Sequence, residues 1–169
     1  LDGVLAPRVV VLRADGRGRK AEGLESYRRI AKGALEGPVE GREGAVGFLA
    51  DAEHGQKTGW FFDQRDNRAF LSGLAEDARM LDLYCYQGGF ALAAARAGAA
   101  ETLGIDSSAP ALALAERSAA LNGVENTCGW QKGDVFETVA QLVESGERFD
   151  VVNADPPAFV IVKRDLAQG

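Results

Sequence analysis

The sequence predicts an α/β fold, an open doubly wound sheet of about four parallel strands with a small N-terminal α+β appendage. Two observations predict it. From residue 79 onward, apolar runs of strand length alternate with helical patterns, and strands joined by helices run parallel with right-handed crossovers. Residues 1–68 instead carry short, mixed strand and helix signals. We therefore divide the chain into an N-terminal α+β subdomain, residues 1–68, and a sheet domain, residues 69–169.

The elements of the appendage follow from short apolar patterns and turn residues. The expected elements are a strand at 9–12, a short helix at 22–35, a strand within 43–51, a glycine-bounded loop at 53–59 and a short aromatic strand or turn at 60–62. Asp63 is the expected N-cap of a helix, because apolar residues recur at helical spacing from Phe70 to Ala78.

The elements of the sheet domain are more regular. We expect strands at 80–85, 102–106, 127–132 and 149–154, and helices at 90–97, 109–121 and 135–145. Gly98 closes the first of these helices, at a position where helix C-termini prefer glycine, and Asn122-Gly123 follows the second.

Composition excludes several classes of protein. With 169 residues, of which 46% are hydrophobic and 26% charged, the chain is not a disordered polymer. No apolar run approaches the length of a membrane span, which is about 18 residues. The N-terminus is acidic and therefore unlike a secretory signal. Two cysteines give neither a disulfide framework nor a zinc cluster, which favours a cytoplasmic protein without a metal site. Because the chain begins at Leu1 and stops at Gly169 without a finishing element, we expect a fragment.

Charge is unevenly distributed along the chain. The net charge is −6, yet residues 1–68 carry 12 basic and 11 acidic side chains, whereas residues 69–169 carry 7 and 14. This acidic excess argues against binding nucleic acid over the whole surface. One basic cluster remains, formed by Arg13, Arg17, Arg19, Lys20, Arg28, Arg29 and Lys32. It is either a solvated surface interspersed with acids or an arm that contacts phosphates.

Acidic residues accompany all four predicted strands of the sheet. Ligands of such sheets bind outside the carboxyl ends of the strands. Asp82 lies within the first strand and precedes Gly88-Gly89, a pair that lacks the spacing of dinucleotide-binding glycines and is equally consistent with a tight turn. Asp106 ends the second strand, where a carboxylate can accept both hydroxyls of a ribose. Asp134 follows the third strand, where a carboxylate can accept an adenine amino group.

The fourth strand ends in Asp155-Pro156-Pro157. Prolines remove backbone donors and fix φ, so the chain leaves the sheet rigidly and presents Asp155 and nearby carbonyls as acceptors. Such a group suits recognition of an exocyclic amine or a protonated ring nitrogen.

These residues resemble the class I methyltransferases that use S-adenosylmethionine and, more narrowly, the bacterial 23S rRNA cytosine-5 methyltransferase family. The resemblance runs from about Val9 to Gly169, and its most specific segment is GQKTGWFFDQRDNR at 55–68. The other segments are LDLYCYQGGF at 81–90, GIDSS at 104–108, LNG at 121–123, GDVF at 133–136 and DPPAF at 155–159. The family commonly has threonine at Gln87 and Ala-Lys-Ser-Lys at 160–163, where this chain has Val-Ile-Val-Lys.

The resemblance implies a Rossmann-like class I methyltransferase sheet, S-adenosylmethionine as the cofactor and ribosomal RNA as the substrate. This chain would hold the N-terminal half of a seven-stranded domain. The implied cofactor-binding residues are Gln64, Arg65, Asp82, Tyr84, Gly88, Gly89, Asp106, Ser107, Asp134, Val135 and Asp155. The loop from Asp82 to Gly89 would cradle the methionine part of the cofactor, whose carboxylate Arg65 can pair with. Asp106 would hold the ribose and Asp134 the adenine, while Asp155 is the implied catalytic residue that recognises the target base.

Methylation of carbon 5 of cytosine requires a thiolate that adds to carbon 6, because the ring double bond is a weak nucleophile. The chain has only Cys85 and Cys128, and both are better interpreted as small buried hydrophobes. The resemblance implies a nucleophilic cysteine on a later strand. His54 has no serine or cysteine partner at a recognisable spacing and is expected to be a loop residue.

The leading hypothesis is therefore cytosine-5 methylation of ribosomal RNA, with the nucleophile downstream and this stretch inactive alone. Two alternatives stay open. Asp155-Pro-Pro could polarise an exocyclic amine, as in methylation of adenine N6 or of an amide, although Ala158 separates the prolines from the aromatic Phe159. The chain could also be a non-catalytic module that binds the cofactor or RNA. A cysteine segment in the gene beyond Gly169 would distinguish these hypotheses.

Overall fold

The computed structural model describes residues 2–157. The elements are α1 (Asp2–Leu5), β1 (Val10–Ala14), α2 (Arg17–Ala21), β2 (Tyr27–Lys32), β3 (Val39–Glu43), β4 (Val46–Ala50), a 3-10 helix (Phe62–Gln64), α3 (Arg65–Ser72), β5 (Arg79–Leu83), α4 (Gly89–Arg96), β6 (Glu101–Asp106), α5 (Ala109–Asn122), β7 (Cys128–Lys132), α6 (Val135–Glu144) and β8 (Val151–Ala154). Within this part of the chain, no helix is both long enough and apolar enough to cross a membrane.

The backbone divides into two compact units. Among the described residues, unit 1 comprises the chain up to Gly41 together with Leu49–Phe61. Unit 2 comprises Arg42–Phe48 and the chain from Phe62 onward. Unit 1 contains the antiparallel pair β1–β2, and unit 2 contains the four-stranded sheet. The division expected at residues 68 and 69 stays a prediction, because compactness alone does not identify a domain that folds independently.

Unit 2 is built on a parallel sheet with the strand order β7-β6-β5-β8. The central strand β5 pairs in parallel with both β6 and β8, and β6 pairs in parallel with β7. The chain therefore moves outward from β5 to β7 and then returns to the other side of β5. This is the doubly wound α/β arrangement that the sequence predicts, and that prediction is confirmed. Such a reversal opens a crevice at the carboxyl ends of the two strands between which it occurs, here β5 and β8.

Helices pack on both faces of this sheet, because neighbouring residues of β5 point in opposite directions. Met80 packs in a cluster with Ala94 of α4. Leu81, the next residue, packs with Ile105 of β6 and Val135 of α6. These side chains are all buried, as expected for a parallel strand that is covered on both faces.

One expectation for the appendage, a helix at residues 22–35, is wrong. Tyr27–Lys32 instead form β2, which pairs antiparallel with β1. Gly23 and Gly33 have φ values of 70° and 71°, and the short segment between them is below the length at which an isolated helix is stable. Pairing with β1 supplies hydrogen-bond partners for its backbone.

The helix expected from Asp63 is also shorter than predicted. Asp63 lies in the 3-10 turn, Gln64 is the N-cap of α3, and α3 ends at Ser72. Ala75 and Ala78 are buried nevertheless, although they follow the helix in turns whose backbone includes Asp77 at φ 57°. Their apolar spacing therefore reflects burial rather than continued helix.

A buried ion pair joins the end of β3 to α3 within unit 2. Arg68 is 4% exposed, and its Nε and Nη2 donate to the two carboxylate oxygens of Glu43, each at 2.7 Å. The guanidinium carbon also lies 5.8 Å from the ring centroid of Phe90. This two-pronged geometry compensates the cost of burying the guanidinium charge.

We predict that Glu43→Gln destabilises the chain by about 3 kcal/mol, because it leaves the buried guanidinium of Arg68 without a countercharge. Urea unfolding followed by circular dichroism measures this loss. Glu101→Gln is the matched control, since it removes a half-exposed carboxylate paired with Arg79 and should cost less than about 1 kcal/mol. Equal losses of unfolding free energy in the two variants would contradict a stabilising role for the buried ion pair of Glu43 and Arg68.

Candidate active site

The loop between β5 and α4 turns through residues with left-handed backbone. Tyr84, Tyr86 and Gly88 have φ values of 59°, 52° and 70°. Non-glycine residues rarely adopt this conformation, which costs about 1–3 kcal/mol for each. The turn directs the backbone N–H of Cys85 to the carbonyl of Ile105 at 3.0 Å. The loop is therefore fixed against the end of β6 by backbone hydrogen bonds.

Asp106 anchors this loop at the carboxyl end of β6. Its Oδ2 accepts a hydrogen bond from the backbone N–H of Tyr86, and its Oδ1 accepts one from Ser108, both at 2.8 Å. The side chain is partly buried, and the neighbouring Ser107 is exposed. A carboxylate has about four acceptor positions. Two positions remain with which Asp106 can accept hydroxyl groups of a ligand.

Asp82 occupies the centre of the sheet and has no exposed surface. Its Oδ1 accepts from the side-chain amide of Asn153 at 2.8 Å, and its Oδ2 accepts from the N–H of Ala91 at 3.2 Å. Burial raises the pKa of Asp82 to about 7, against the effect of these two hydrogen bonds. In this conformation Asp82 cannot touch a ligand, so it acts on the site by holding β8 and the first turn of α4.

Gly88 and Gly104 accommodate a tryptophan that no sequence motif indicated. A Cβ atom at Gly88 would overlap the ring of Trp130, and a Cβ at Gly104 would lie 2.6 Å from the same ring and 3.0 Å from the sulfur of Cys85. Trp130 is in β7. Gly88 is therefore explained by a tight turn and by contact with this ring, and Gly89 begins α4. The only sequence signal was a large aromatic residue beside Gly129 in a predicted strand.

Asp134 stands at the start of α6, after β7. Its side chain is exposed, and Oδ1 caps the helix by accepting the N–H of Glu137 at 3.1 Å. Val135 is buried in the cluster with Leu81, so only its backbone is able to face a ligand. Phe136 is 69% exposed and was not singled out from the sequence. An exposed aromatic ring next to an exposed carboxylate is suited to an adenine base.

Asp155, after β8, is linked to the segment that precedes α3. The amide Nε2 of Gln64 donates to Asp155 Oδ2 at 2.9 Å, and Asn67 donates to Gln64 Oε1 at 2.6 Å. These three polar residues line a cavity of about 320 Å³ together with Phe70, Leu71, Phe90, Asn153 and Ala154. Phe70 is 68% exposed. The cavity thus combines aromatic surface with a carboxylate held by a neighbouring amide.

Arg65 begins α3, next to Gln64. Its side chain is 61% exposed, and its Nε lies 3.9 Å from Oε2 of Glu43. An exposed guanidinium with one loose partner remains able to pair with a ligand carboxylate. Its predicted role at the cofactor stays a prediction.

Neither cysteine is in an environment that would produce a thiolate. Cys85 and Cys128 are both buried and free. Burial raises the pKa of each thiol, and the nearby carboxylates of Asp82 and Asp106 add to the effect at Cys85. His54 is an exposed loop residue whose ring nitrogens lie 3.6–3.9 Å from carboxylates of Asp51 and Glu53. Across residues 2–157, no group of three or more His, Cys, Asp or Glu side chains could hold a metal ion.

Comparison with known proteins identifies the family. A family model described as "S-adenosylmethionine-dependent methyltransferase" matches residues 31–168. The chain belongs to this family. The predicted resemblance to class I methyltransferases, and with it the prediction of S-adenosylmethionine as the cofactor, is confirmed at this level.

Curated relatives of the chain are named for ribosomal RNA. "Ribosomal RNA large subunit methyltransferase I" of Aeromonas hydrophila is 38% identical over 157 residues, which cover 91% of this chain and 40% of the relative. The protein of the same name from Tolumonas auensis is 39% identical over 158 residues, with the same coverage. The chain thus spans about 40% of the length of these relatives.

Solved structures show the same sheet. The SAM-dependent methyltransferase of Agrobacterium tumefaciens is 27% identical with a TM-score of 0.72, over 79% of this chain and 44% of that one. SMU.776, whose crystal structure is complexed with SAH, is 25% identical with a TM-score of 0.72, over 78% of this chain and 36% of that one.

The residues present fit the family's cofactor. Along the carboxyl edge of the sheet, Asp106 retains acceptor positions suited to a ribose, and Asp134 with Phe136 offers an acceptor and an aromatic surface suited to adenine. The loop at 84–88 follows β5 at the same edge. Ala158–Phe159 and residues 160–163, which the resemblance also involves, lie outside the described residues.

We predict that Asp82→Asn changes how stability depends on pH. The ordinary pKa of the carboxyl is 3.8 and its folded value is about 7, so protonated Asp82 favours the folded state. This contribution is complete below pH 3.8 and is lost as the pH rises to about 7. The unfolding free energy of the wild type, relative to Asp82→Asn, should therefore fall across this range.

Urea unfolding at a series of pH values measures this difference. Glu125→Gln, which neutralises an exposed carboxylate, is the control and should run parallel to the wild type. If the difference in unfolding free energy between the wild type and Asp82→Asn were constant from pH 4 to pH 7, burial would not raise the pKa of Asp82 as described.

Proposed function

We propose that this chain is the cofactor-binding part of an S-adenosylmethionine-dependent methyltransferase that acts on ribosomal RNA. In its most specific form, the proposal is that the methyl group is transferred to carbon 5 of cytosine. The observation that carries the proposal is the placement of Asp106, Asp134 and Asp155 at or directly after the carboxyl ends of three strands of one parallel sheet. The names of the curated relatives support ribosomal RNA as the substrate.

Each strand end has a distinct task in this proposal. The cofactor supplies an electrophilic methyl group. Asp106, fixed by the N–H groups of Tyr86 and Ser108, accepts the ribose hydroxyls. Asp134 accepts the adenine amino group, and the ring of Phe136 covers the base. Because the acceptors are already held in place by backbone hydrogen bonds, binding requires little reorganisation.

The methionine part lies at the loop after β5 in this proposal. Tyr84 and Gly88-Gly89 present backbone there, and Ser107 is exposed at the end of the next strand. Arg65 pairs with the methionine carboxylate. Asp82 supports the loop from within the sheet through the N–H of Ala91, so its contribution to binding is indirect.

The target base occupies the cavity beside Asp155. A base that undergoes chemistry must leave its stack, and enzymes of this kind receive it between aromatic side chains and read its polar edge. Phe70 and Phe90 supply aromatic surface in the cavity, and Asp155 supplies an acceptor. The hydrogen bond from Gln64 orients the Asp155 carboxylate, which supports a task for Gln64 at the base rather than at the cofactor.

Cytosine-5 chemistry also needs a thiolate, which Cys85 and Cys128 do not supply. Both are buried, and the pKa of each is raised by burial. A thiol that stays protonated is a poor nucleophile. The attacking cysteine in this proposal therefore comes from outside these two positions.

We predict that Asp106→Ala weakens the binding of S-adenosylmethionine by about 30-fold, through the loss of about 2 kcal/mol in charge-assisted hydrogen bonds. Isothermal titration calorimetry with the purified chain measures the change. Asp150→Ala is the control, because Asp150 bonds Arg79 at the opposite end of the sheet, and it should bind the cofactor like the wild type. Unchanged affinity in Asp106→Ala would contradict the cofactor site.

We also predict that the chain alone transfers no methyl group to 23S rRNA, because neither of its cysteines forms a thiolate. Incubation with labelled S-adenosylmethionine, nuclease digestion and chromatography of nucleosides measure transfer. The full-length Aeromonas hydrophila relative is the positive control. Labelled 5-methylcytidine from this chain would overturn the account of the nucleophile, and labelled N6-methyladenosine would favour an amine-directed reaction at Asp155.

A further inference from the structure

The basic cluster of the appendage is divided by the register of β1 and β2. Arg13 lies opposite Arg28, and the neighbouring pairs are Leu12 with Arg29 and Ala14 with Tyr27. Because alternate residues of a strand point to opposite faces, Arg13 and Arg28 share one face while Tyr27 and Arg29 share the other. The side chains of Arg17 and Lys20 are outside those described.

The charges on the first face are largely balanced. Arg28 donates to Oδ2 of Asp15 at 2.5 Å, and Arg13 Nε lies 3.9 Å from Oδ1 of the same carboxylate. The hydrogen bond from Arg28 lowers the pKa of Asp15, so this carboxylate is charged at neutral pH. Arg13 also donates to the carbonyl of Lys57. Two like charges directly opposite each other would destabilise the strand pair, and Asp15 relieves that repulsion.

The second face keeps its charge. The guanidinium carbons of Arg19 and Arg29 lie 5.6 and 5.5 Å from the ring centroid of Tyr27. A cation–π contact orients a guanidinium without neutralising it. Among the described residues, the side chain of Arg19 has one hydrogen-bond partner, the carbonyl of Glu25, to which Nε donates at 3.1 Å. Arg29 is exposed, and its side chain forms no hydrogen bond or ion pair with any residue in the described part of the chain.

We propose that Arg19 and Arg29, held against Tyr27, bind phosphates of single-stranded RNA. The planar guanidinium presents several donors in a geometry that matches phosphate oxygens. Residues 8–32 carry eight basic and three acidic side chains, in a chain whose net charge is −6. This local excess concentrates attraction for a polyanion on the segment of unit 1 that contains β1, α2 and β2. The inference rests on the proposed RNA substrate and adds a surface at which that substrate is bound.

Fluorescence anisotropy with a labelled single-stranded RNA of about 12 nucleotides tests the proposal. We expect Arg29→Ala and Arg19→Ala each to weaken binding by about fivefold at low salt. Each should also reduce the slope of log affinity against log salt by about 0.7, which is the contribution of one phosphate on a single strand. Tyr27→Phe should retain binding, whereas Tyr27→Ala should weaken it because the two guanidinium groups lose their common support.

Arg28→Ala is the matched control. It removes the same charge from the same strand, but from a guanidinium already paired with Asp15. The affinity should therefore stay within about twofold of the wild type, and the salt slope should be unchanged. Thermal unfolding of every variant verifies the fold. Because the side chain of Arg29 makes no hydrogen bond to described residues, the Arg29→Ala variant remains decisive even where Tyr27→Ala unfolds.

The proposed surface would be overturned if Arg19→Ala and Arg29→Ala bound RNA with the affinity and salt slope of the wild type. An RNA substrate would remain in place. An equal loss in Arg28→Ala would overturn it as well, since the effect would then be one of net charge. Absence of RNA binding by the wild type would contradict both the surface and the RNA substrate. Titration of the same proteins with S-adenosylmethionine reports separately on the methyltransferase site.

Discussion

A buried carboxylate at the centre of the parallel sheet is the constraint on which the candidate site depends. Asp82 bonds the N–H of Ala91 at the start of α4 and the amide of Asn153 in β8. It thereby joins α4 to β8, the strand that precedes Asp155, across the point where the strand order reverses. Burial of a polar group without partners is costly, so Asp82 favours one relative position of these elements. Its raised pKa is the consequence of that placement.

The same edge of the sheet is shaped by close packing and an uncommon backbone. Trp130 occupies the space that side chains at Gly88 and Gly104 would need, and the left-handed Tyr86 directs its N–H to Asp106. Hydrogen bonds hold the loop in this conformation, which is not the intrinsic backbone preference of its tyrosines. Strain retained in this way is typical of positions where a ligand must meet a fixed backbone.

Much of unit 2 could be predicted because its signals are local. Apolar runs, helix-closing glycines and acids at strand ends lie within a few residues of the features that they specify. Pairings between distant residues gave no such signal. Trp130 packs against glycines from two other strand ends, Gln64 bonds Asp155 from 91 positions away, and β2 is a strand only because β1 lies beside it. Residues 22–35 taken alone therefore predicted a helix, and the separation of the charges of β2 onto two faces could not be foreseen.

The central claim is that the cofactor binds along the carboxyl edge of β5, β6 and β7. Amide NMR spectra of the chain during titration with S-adenosylhomocysteine test it most directly. Binding at this edge should cause large shifts for the amides of Tyr86 and Ser108, which bond Asp106, and for the amide of Glu137, which bonds Asp134. The amides of Ala100 and Asp150, at the opposite end of the sheet, should not move. Shifts confined to that opposite end, or no shifts at saturating ligand, would contradict the account.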